Sequence, residues 1–477
     1  MKVENSVLKG YLHIMSSTVE NFKKICAIPR GSGNEKGVAD MLEAFAAERG
    51  LSFYRDGDEN VLIKKPGVGK TVVLQGHSDM VCEKNEGVAH DFEREGIEVI
   101  EENAVFRANG TTLGADDGVS IAVMMSVLDD PTVTVPVECL VTAKEEIGLL
   151  GMGAFDFSKL TGRAMINLDS TDEGVATVSC CGGVRTDITI PGRRGAPEGA
   201  GFELKVRGLY GGHSGEDINL GRRNAILTAL KIIRKVAGVR IASIEGGSKD
   251  NAIPRECTIR FATLDPDVAE KVEAATDAIR DMLILDDKDF SAVLEKADVP
   301  EAFGEGMFAH LRTLSAVIPL GVIKMDPDIE GLVNTSANFA IARTEENCVK
   351  ITISSRSSDE ATLDELIATA DKVAADCGGS TEHRGRYPGW SFAPESALRE
   401  LYLKTFDDLY GAEGKKARFR GIHAGLECGL VKAAVPDMDI ISIGPNIKSC
   451  HSPDESLEAA SLERLYETVA EMLRRMA

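Results

Sequence analysis

The 477-residue chain is predicted to be an α/β protein in which a mostly parallel-sheet domain is interrupted by an inserted α+β lid. Three observations carry this expectation. Apolar, β-branched runs alternate with amphipathic stretches over residues 17–168, the rhythm of βαβ units. A Gly- and Pro-rich break, Pro191-Gly-Arg-Arg-Gly-Ala-Pro-Glu-Gly-Ala-Gly201, separates that rhythm from later strand–helix pairs. Two histidine strings, Gln75-Gly76-His77-Ser78-Asp79-Met80 and Cys450-His451-Ser452-Pro453, must meet if they serve one site, which joins the chain before the break to its end. The expected boundaries are 1–200 and 387–477 for the discontinuous sheet domain and 201–386 for the lid.

In chain order, residues 38–49 space their apolar side chains as a helix does, and Val72-Val73-Leu74 is a buried strand. A helix over 118–128 follows the turn Gly114-Ala115-Asp116-Asp117-Gly118, and strands follow at 137–142 and 164–168. Beyond the break, a strand over 202–206, a helix over 223–236, a strand over 349–354 and a helix over 361–375 make the lid. The chain returns through residues 386–390 and closes on an amphipathic helix over 461–476.

A carboxylate series lies between the two histidine strings: Asp116-Asp117, Glu145-Glu146 in Ala-Lys-Glu-Glu-Ile-Gly, and Asp169 in Asn-Leu-Asp-Ser. Each follows an apolar run, so the side chains belong at strand ends, where open α/β sheets place ligands. Alone, each string reads as a turn or a solvated surface; five in this order point to a two-metal site. Two divalent cations bring a charge of about +4 and call for a shared carboxylate with an anionic ligand on each side. One arrangement puts His77, Asp116 and Asp169 on one ion and Asp116, Glu146 and His451 on the other. Asp79 then orients His77 from two residues further on. Glu145 is left as candidate base for a metal-bridging water.

These strings resemble the M20 metallopeptidases, and within them the Xaa-His dipeptidases (aminoacyl-histidine dipeptidase, peptidase D, carnosinase-like). The nearer likeness rests on Gln75-Gly-His-Ser-Asp-Met-Val81 with Glu83-Lys84-Asn85, on Thr111-Thr-Leu-Gly-Ala-Asp-Asp-Gly118, on His423-Ala-Gly-Leu-Glu-Cys-Gly429, and on Ile443-Gly-Pro445 leading to His451. The resemblance implies a zinc-peptidase fold, with His77, Asp116, Glu146, Asp169 and His451 as zinc ligands, cobalt or manganese being alternatives. It implies Glu145 as general acid/base, Asp79 as partner of His77, and a cis peptide at Asp116-Asp117. From the lid it implies His213 of Gly211-Gly-His-Ser-Gly215 as the group that polarises the scissile carbonyl. Asn251, Arg356 and Gly425 would hold the substrate. Taken alone, the His213 string reads equally as a flexible turn, and Arg356 as a solvated strand end. Ile28-Pro29-Arg30-Gly31-Ser32-Gly33-Asn34-Glu35 departs from the family string in lacking histidines after Ser32, which is expected to bear on specificity at most.

The remaining histidines carry no partner motif: His13, His90, His310 and His383 are expected to be structural or exposed, and His423 is left outside the ligand set. The net charge of -22 without a Lys/Arg block excludes binding of nucleic acid through phosphate neutralisation. No stretch is apolar enough to span a bilayer, and Met1-Lys-Val-Glu-Asn5 lacks a signal core, so the expected location is the cytoplasm with no membrane partner. The ten cysteines include no C-x-x-C pair and are expected to be reduced. The expected activity is hydrolysis of dipeptides with a free carboxylate, Xaa-His among them, and a homodimer is the candidate assembly. A tripeptidase, a deacylase, a nonspecific dipeptidase and a non-catalytic binding protein are the alternatives.

Overall fold

The computed structural model describes residues 18–283 and 287–477; His13 lies outside them. The chain divides into two compact units. The first takes in the described residues up to Ser179, then Phe392–Gly421 and Leu426–Ala477; the second is Cys180–Ser391 with Ile422–Gly425.

In unit 1 an eight-stranded sheet runs Ser52–Arg55, Val61–Lys65, Val137–Thr142, Val72–His77, Ala164–Asn167, Asp439–Ser442, Val175–Cys180, Arg418–Ile422. Its centre is parallel: Val72–His77 pairs in parallel with Val137–Thr142 and with Ala164–Asn167, which pairs in parallel with Asp439–Ser442. The flanks are antiparallel. Strands Val72–His77 and Val137–Thr142 are buried throughout, as helix-covered parallel strands require. The covering is tight, because a Cβ at Gly76 would lie 2.1 Å from Ser120 Oγ, so glycine lets helix Ala115–Asp129 approach. Helix Lys36–Glu48 buries Val38, Ala39, Leu42, Phe45 and Ala46, one stripe at helical spacing. The register places His77 beside Thr142, and Gln75 beside Asn167. The segments carrying His77, Glu145, Glu146 and Asp169 therefore leave the same edge of the sheet, while Asp116 stands in the first turn of helix Ala115–Asp129.

Unit 2 is built on a nine-stranded antiparallel sheet in which Gly182–Pro191 lies between Cys348–Ser357 and Ser380–Tyr387. Side-chain caps start its helices: Asn224 Oδ1 accepts from the amides of Ile226 and Leu227, and Asp359 from that of Thr362. The Asn224 cap starts a helix at Ala225–Ile232 that tightens to 3-10 geometry over Ile233–Lys235, shorter than the expected 223–236.

The boundary expected near residue 200 falls instead between Ser179 and Cys180. Ile188 and Ile190 are fully buried in the unit 2 core, so the strand ahead of the Gly/Pro break belongs to the inserted unit. The break itself is not a linker, since Arg194–Gly195 pairs with Ala302–Phe303. The return falls at 391/392, close to the expected 386/387, and the passage of Ile422–Gly425 into unit 2 was not foreseen. Seven of the ten cysteines are buried. Among the described residues no helix is long and apolar enough to cross a membrane.

Candidate metal centre

His77 closes its strand fully buried, with Nδ1 3.1 Å from the Asp79 carbonyl oxygen and 3.4 Å from Asp79 Oδ1. Two acceptors on that side fix the proton on Nδ1 and turn the Nε2 lone pair to the other. There Nε2 lies 3.0 Å from Asp116 Oδ1 and 4.0 Å from Asp169 Oδ1. The second oxygen of Asp116 lies 3.2 Å from His451 Nε2, which is 3.0 Å from Glu146 Oε1. Asp116 thus faces one histidine with each oxygen, and the peptide joining it to Asp117 is cis. Potential donor atoms gather within 4.8 Å in three groups: His77/Asp116/Asp169, Asp116/Glu146/His451 and His77/Glu145/Glu146. The first two have the membership anticipated from the sequence; the third was not anticipated.

The backbone that carries these groups is held by buried polar side chains. Asp79 Oδ1 accepts from the Glu145 amide at 2.9 Å, and its Oδ2 from the Glu146 amide at 3.2 Å and Ser32 Oγ at 2.7 Å, so one carboxylate orients His77 and sets the Glu145-Glu146 turn. Burial raises the Asp79 pKa, but hydrogen bonds from His77, Ser32 and Glu145 prevail and hold it at about 2. Arg30, 1% exposed, donates to the carbonyls of Ser78, Asp79 and Gly114. Glu35 accepts from the Lys144 amide. Segment 28–35 therefore braces the site through Arg30, Ser32 and Glu35. Beneath the sheet edge, Asn167 donates to Gln75, and Gln75 and Thr142 both donate to Glu427 Oε2, while Glu427 Oε1 is buried with no hydrogen bond. Arg30 and Glu427 lie within strings quoted above but were not singled out as site residues, and Glu455 (below) lies outside those strings.

The donor set fits divalent cations. Among the described residues Asp116, Glu145, Glu146 and Asp169 have no Lys or Arg ion pair, and Glu146 Oε1 faces His451 Nε2. Burial, with the charges of Asp116 and Asp117, lifts the Asp169 carboxyl well above its ordinary range. Burial does the same for Glu145, with Glu427, Glu146 and Asp116 adding and His77 opposing. Hydrogen bonds to Asp116 and Glu146 raise His451 to about 10. For His77 burial lowers the pKa, but Asp116 and Asp79 carry it well above the usual value. A histidine must lose its proton to ligate, and both are raised, so apparent metal affinity is expected to rise with pH by about tenfold per unit for each proton displaced. Competition with a chromophoric chelator at about pH 6 and about pH 8 checks this, and a flat response would contradict it.

Unit 2 brings its candidate residues together on its own. His213 pairs through Gly212–His213 with Ala252–Ile253, and its Nδ1 accepts from the Glu216 amide at 3.1 Å, which leaves the neutral ring's proton on Nε2. Burial and Arg356 lower its pKa, so the ring is neutral at neutral pH. Arg356 is 5% exposed, and its Nη1 donates to Tyr387 Oη at 3.2 Å; no carboxylate pairs with it among the described residues. The default reading of a solvated strand end is therefore wrong. A Cβ at Gly425 would lie 2.7 Å from the Tyr387 ring, so only glycine fits. His423 Nε2 is 2.7 Å from Ser336 Oγ. Asn251 is exposed, and its carbonyl accepts from the Ser214 amide.

A parallel-centred sheet with two histidines and four carboxylates at one edge defines a metal-dependent hydrolase. The chain belongs to peptidase family M20/M25/M40, whose model matches residues 73–475. It is 34% identical over 472 residues to the cytosol non-specific dipeptidase of Escherichia coli (strain K12), covering 95% of this chain and 96% of that one. Its fold matches the crystal structure of aminoacylhistidine dipeptidase from Vibrio alginolyticus with a TM-score of 0.89 at 34% identity, over 96% of each chain. A tripeptidase from Staphylococcus aureus shares the fold at a TM-score of 0.56 and 15% identity, over 97% of this chain and 98% of that one.

Proposed function

We propose that this peptidase is a cytoplasmic two-metal dipeptidase that cleaves dipeptides with a free C-terminal carboxylate, Xaa-His among them. The observation that carries the reading is the pair of donor groups sharing Asp116, with Glu145 beside them. His77, Asp116 and Asp169 would hold one ion and Asp116, Glu146 and His451 the other, zinc first and cobalt or manganese as alternatives. When bound, the ions supply Lewis acidity toward the scissile carbonyl and lower the pKa of water. Glu145 takes the proton of the attacking water and returns it to the leaving amine. Asp79 keeps Glu145 in place by holding its amide. His213, with its proton on Nε2, donates to the carbonyl oxygen as negative charge develops there. Arg356 takes the substrate carboxylate, with Asn251 and Gly425 shaping that subsite.

The buried, carboxylate-free guanidinium supports the last assignment. A hydrogen bond to a charged group is worth about 1.5–3 kcal/mol, so Arg356→Gln is expected to raise KM roughly 10- to 150-fold with a smaller change in kcat. A C-terminally amidated dipeptide should be discriminated against by the parent enzyme and hardly at all by the variant. Equal discrimination in both would place the carboxylate elsewhere.

Broad dipeptide specificity is the second reading, favoured by the likeness to the non-specific dipeptidase. Purified protein supplied with Zn²⁺, Mn²⁺ or Co²⁺ and offered Xaa-His and other dipeptides, tripeptides and N-acyl amino acids separates the readings. Turnover of N-acyl amino acids alone would refute the dipeptidase.

A further inference from the structure

The turn that carries Asp116 is gripped from two sides by buried side chains of opposite charge. Glu455, 2% exposed and four residues past His451, accepts four backbone amides: Leu113 at 2.7 Å and Gly114 at 3.0 Å on Oε2, Ala115 at 2.8 Å and Asp116 at 3.3 Å on Oε1. On the other side Arg30 Nη2 donates to the Gly114 carbonyl, while Nη1 donates to the carbonyls of Ser78 at 2.9 Å and Asp79 at 3.0 Å, next to His77. Gly114 has φ 72°, and a Cβ there would lie 2.5 Å from Arg30 Nη2, so the turn is shaped around the guanidinium. The His451 segment needs an anchor: Ser449 and His451 are both left-handed, at φ 54° and 62°.

We propose that Arg30 and Glu455 are positioning residues that tie the shared Asp116 turn to different histidines. Arg30 sets the affinity of the His77/Asp116/Asp169 group, and Glu455 that of the Asp116/Glu146/His451 group. The inference rests on the ligand groups proposed above. Groups that orient metal ligands typically contribute 10- to 100-fold in affinity. Glu455→Gln puts an amide N–H where an acceptor is needed, so it loosens the His451 loop and leaves the Arg30 tie intact.

The test is a Co²⁺ titration of apo-protein followed by visible absorption, with His77→Ala and His451→Ala supplying the reference spectrum of each remaining ion. If either histidine variant still binds two ions, the ligand groups themselves are wrong. Given one ion in each, Glu455→Gln is expected to weaken only the ion missing from His451→Ala, by about 10- to 100-fold, and Arg30→Lys only the ion missing from His77→Ala. Glu455→Asp, which keeps the charge but draws it back by one methylene, should show the same order and covers poor folding of the Gln variant. Equal weakening of both ions, or of neither, in the folded variants would overturn the division.

Discussion

Glu145→Ala is expected to bind both metal ions and to lose about 10²–10⁴ in kcat, the range of general-base assistance. The result also decides between two roles. Donor atoms of Glu145 lie within 4.8 Å of those of His77 and Glu146, so geometry alone would allow it to ligate. A ligand removed takes metal with it; a base removed does not. The Glu145 turn is held by Asp79, through the backbone amide of Glu145, so the truncation leaves the support of Glu146 in place. Metal content by mass spectrometry alongside steady-state kinetics reads both quantities. Retained metal with near-normal turnover would remove the base assignment, and lost metal would make Glu145 a ligand.

His77, Glu145, Glu146 and Asp169 were legible in the sequence because each ends or closely follows a buried strand of the sheet, which leaves a charged turn there little else to be. The strand-end expectation fails for Asp116, which stands in the first turn of helix Ala115–Asp129, and for His451, which follows the two-residue strand Ile447–Lys448. In Val72–His77 and Val137–Thr142 the apolar residues announce burial on both faces, while burial of Gln75 and Glu138 is not written in the composition. The supports were not legible. Glu455 stands in the polar run Ser452-Pro-Asp-Glu455, indistinguishable locally from surface, and its partners lie about 340 positions earlier. Arg30 and Glu427 are buried charges whose meaning comes only from what the fold brings to them. The unit boundary was misread because Gly182–Pro191 has the same alternation whichever sheet it joins; pairing with Cys348–Ser357 decides that. Four residues, Ile422–Gly425, are too few to carry a pattern of their own.

Asp116→Ala is expected to fail differently from Glu145→Ala. Its two oxygens face His77 Nε2 at 3.0 Å and His451 Nε2 at 3.2 Å, so one truncation takes a donor from both groups. His451→Ala, by contrast, takes a donor from one. Burial works against an ionised Asp116, but the hydrogen bonds from His451 and His77 hold its carboxyl well below the usual range, so it is the anion that both groups share. Without it Asp169 and Glu146 remain as separate carboxylates with nothing joining their ions. Metal at a concentration that saturates the parent chain should then fill less than one site. Lewis-acid stabilisation amounts to several kcal/mol, so activity should fall by about 10³-fold or more. Equilibrium dialysis against Zn²⁺ with a parallel dipeptide assay gives both readings. Two ions bound at near-parental affinity would show that Asp116 is not shared, and the two groups would have to be drawn again without it.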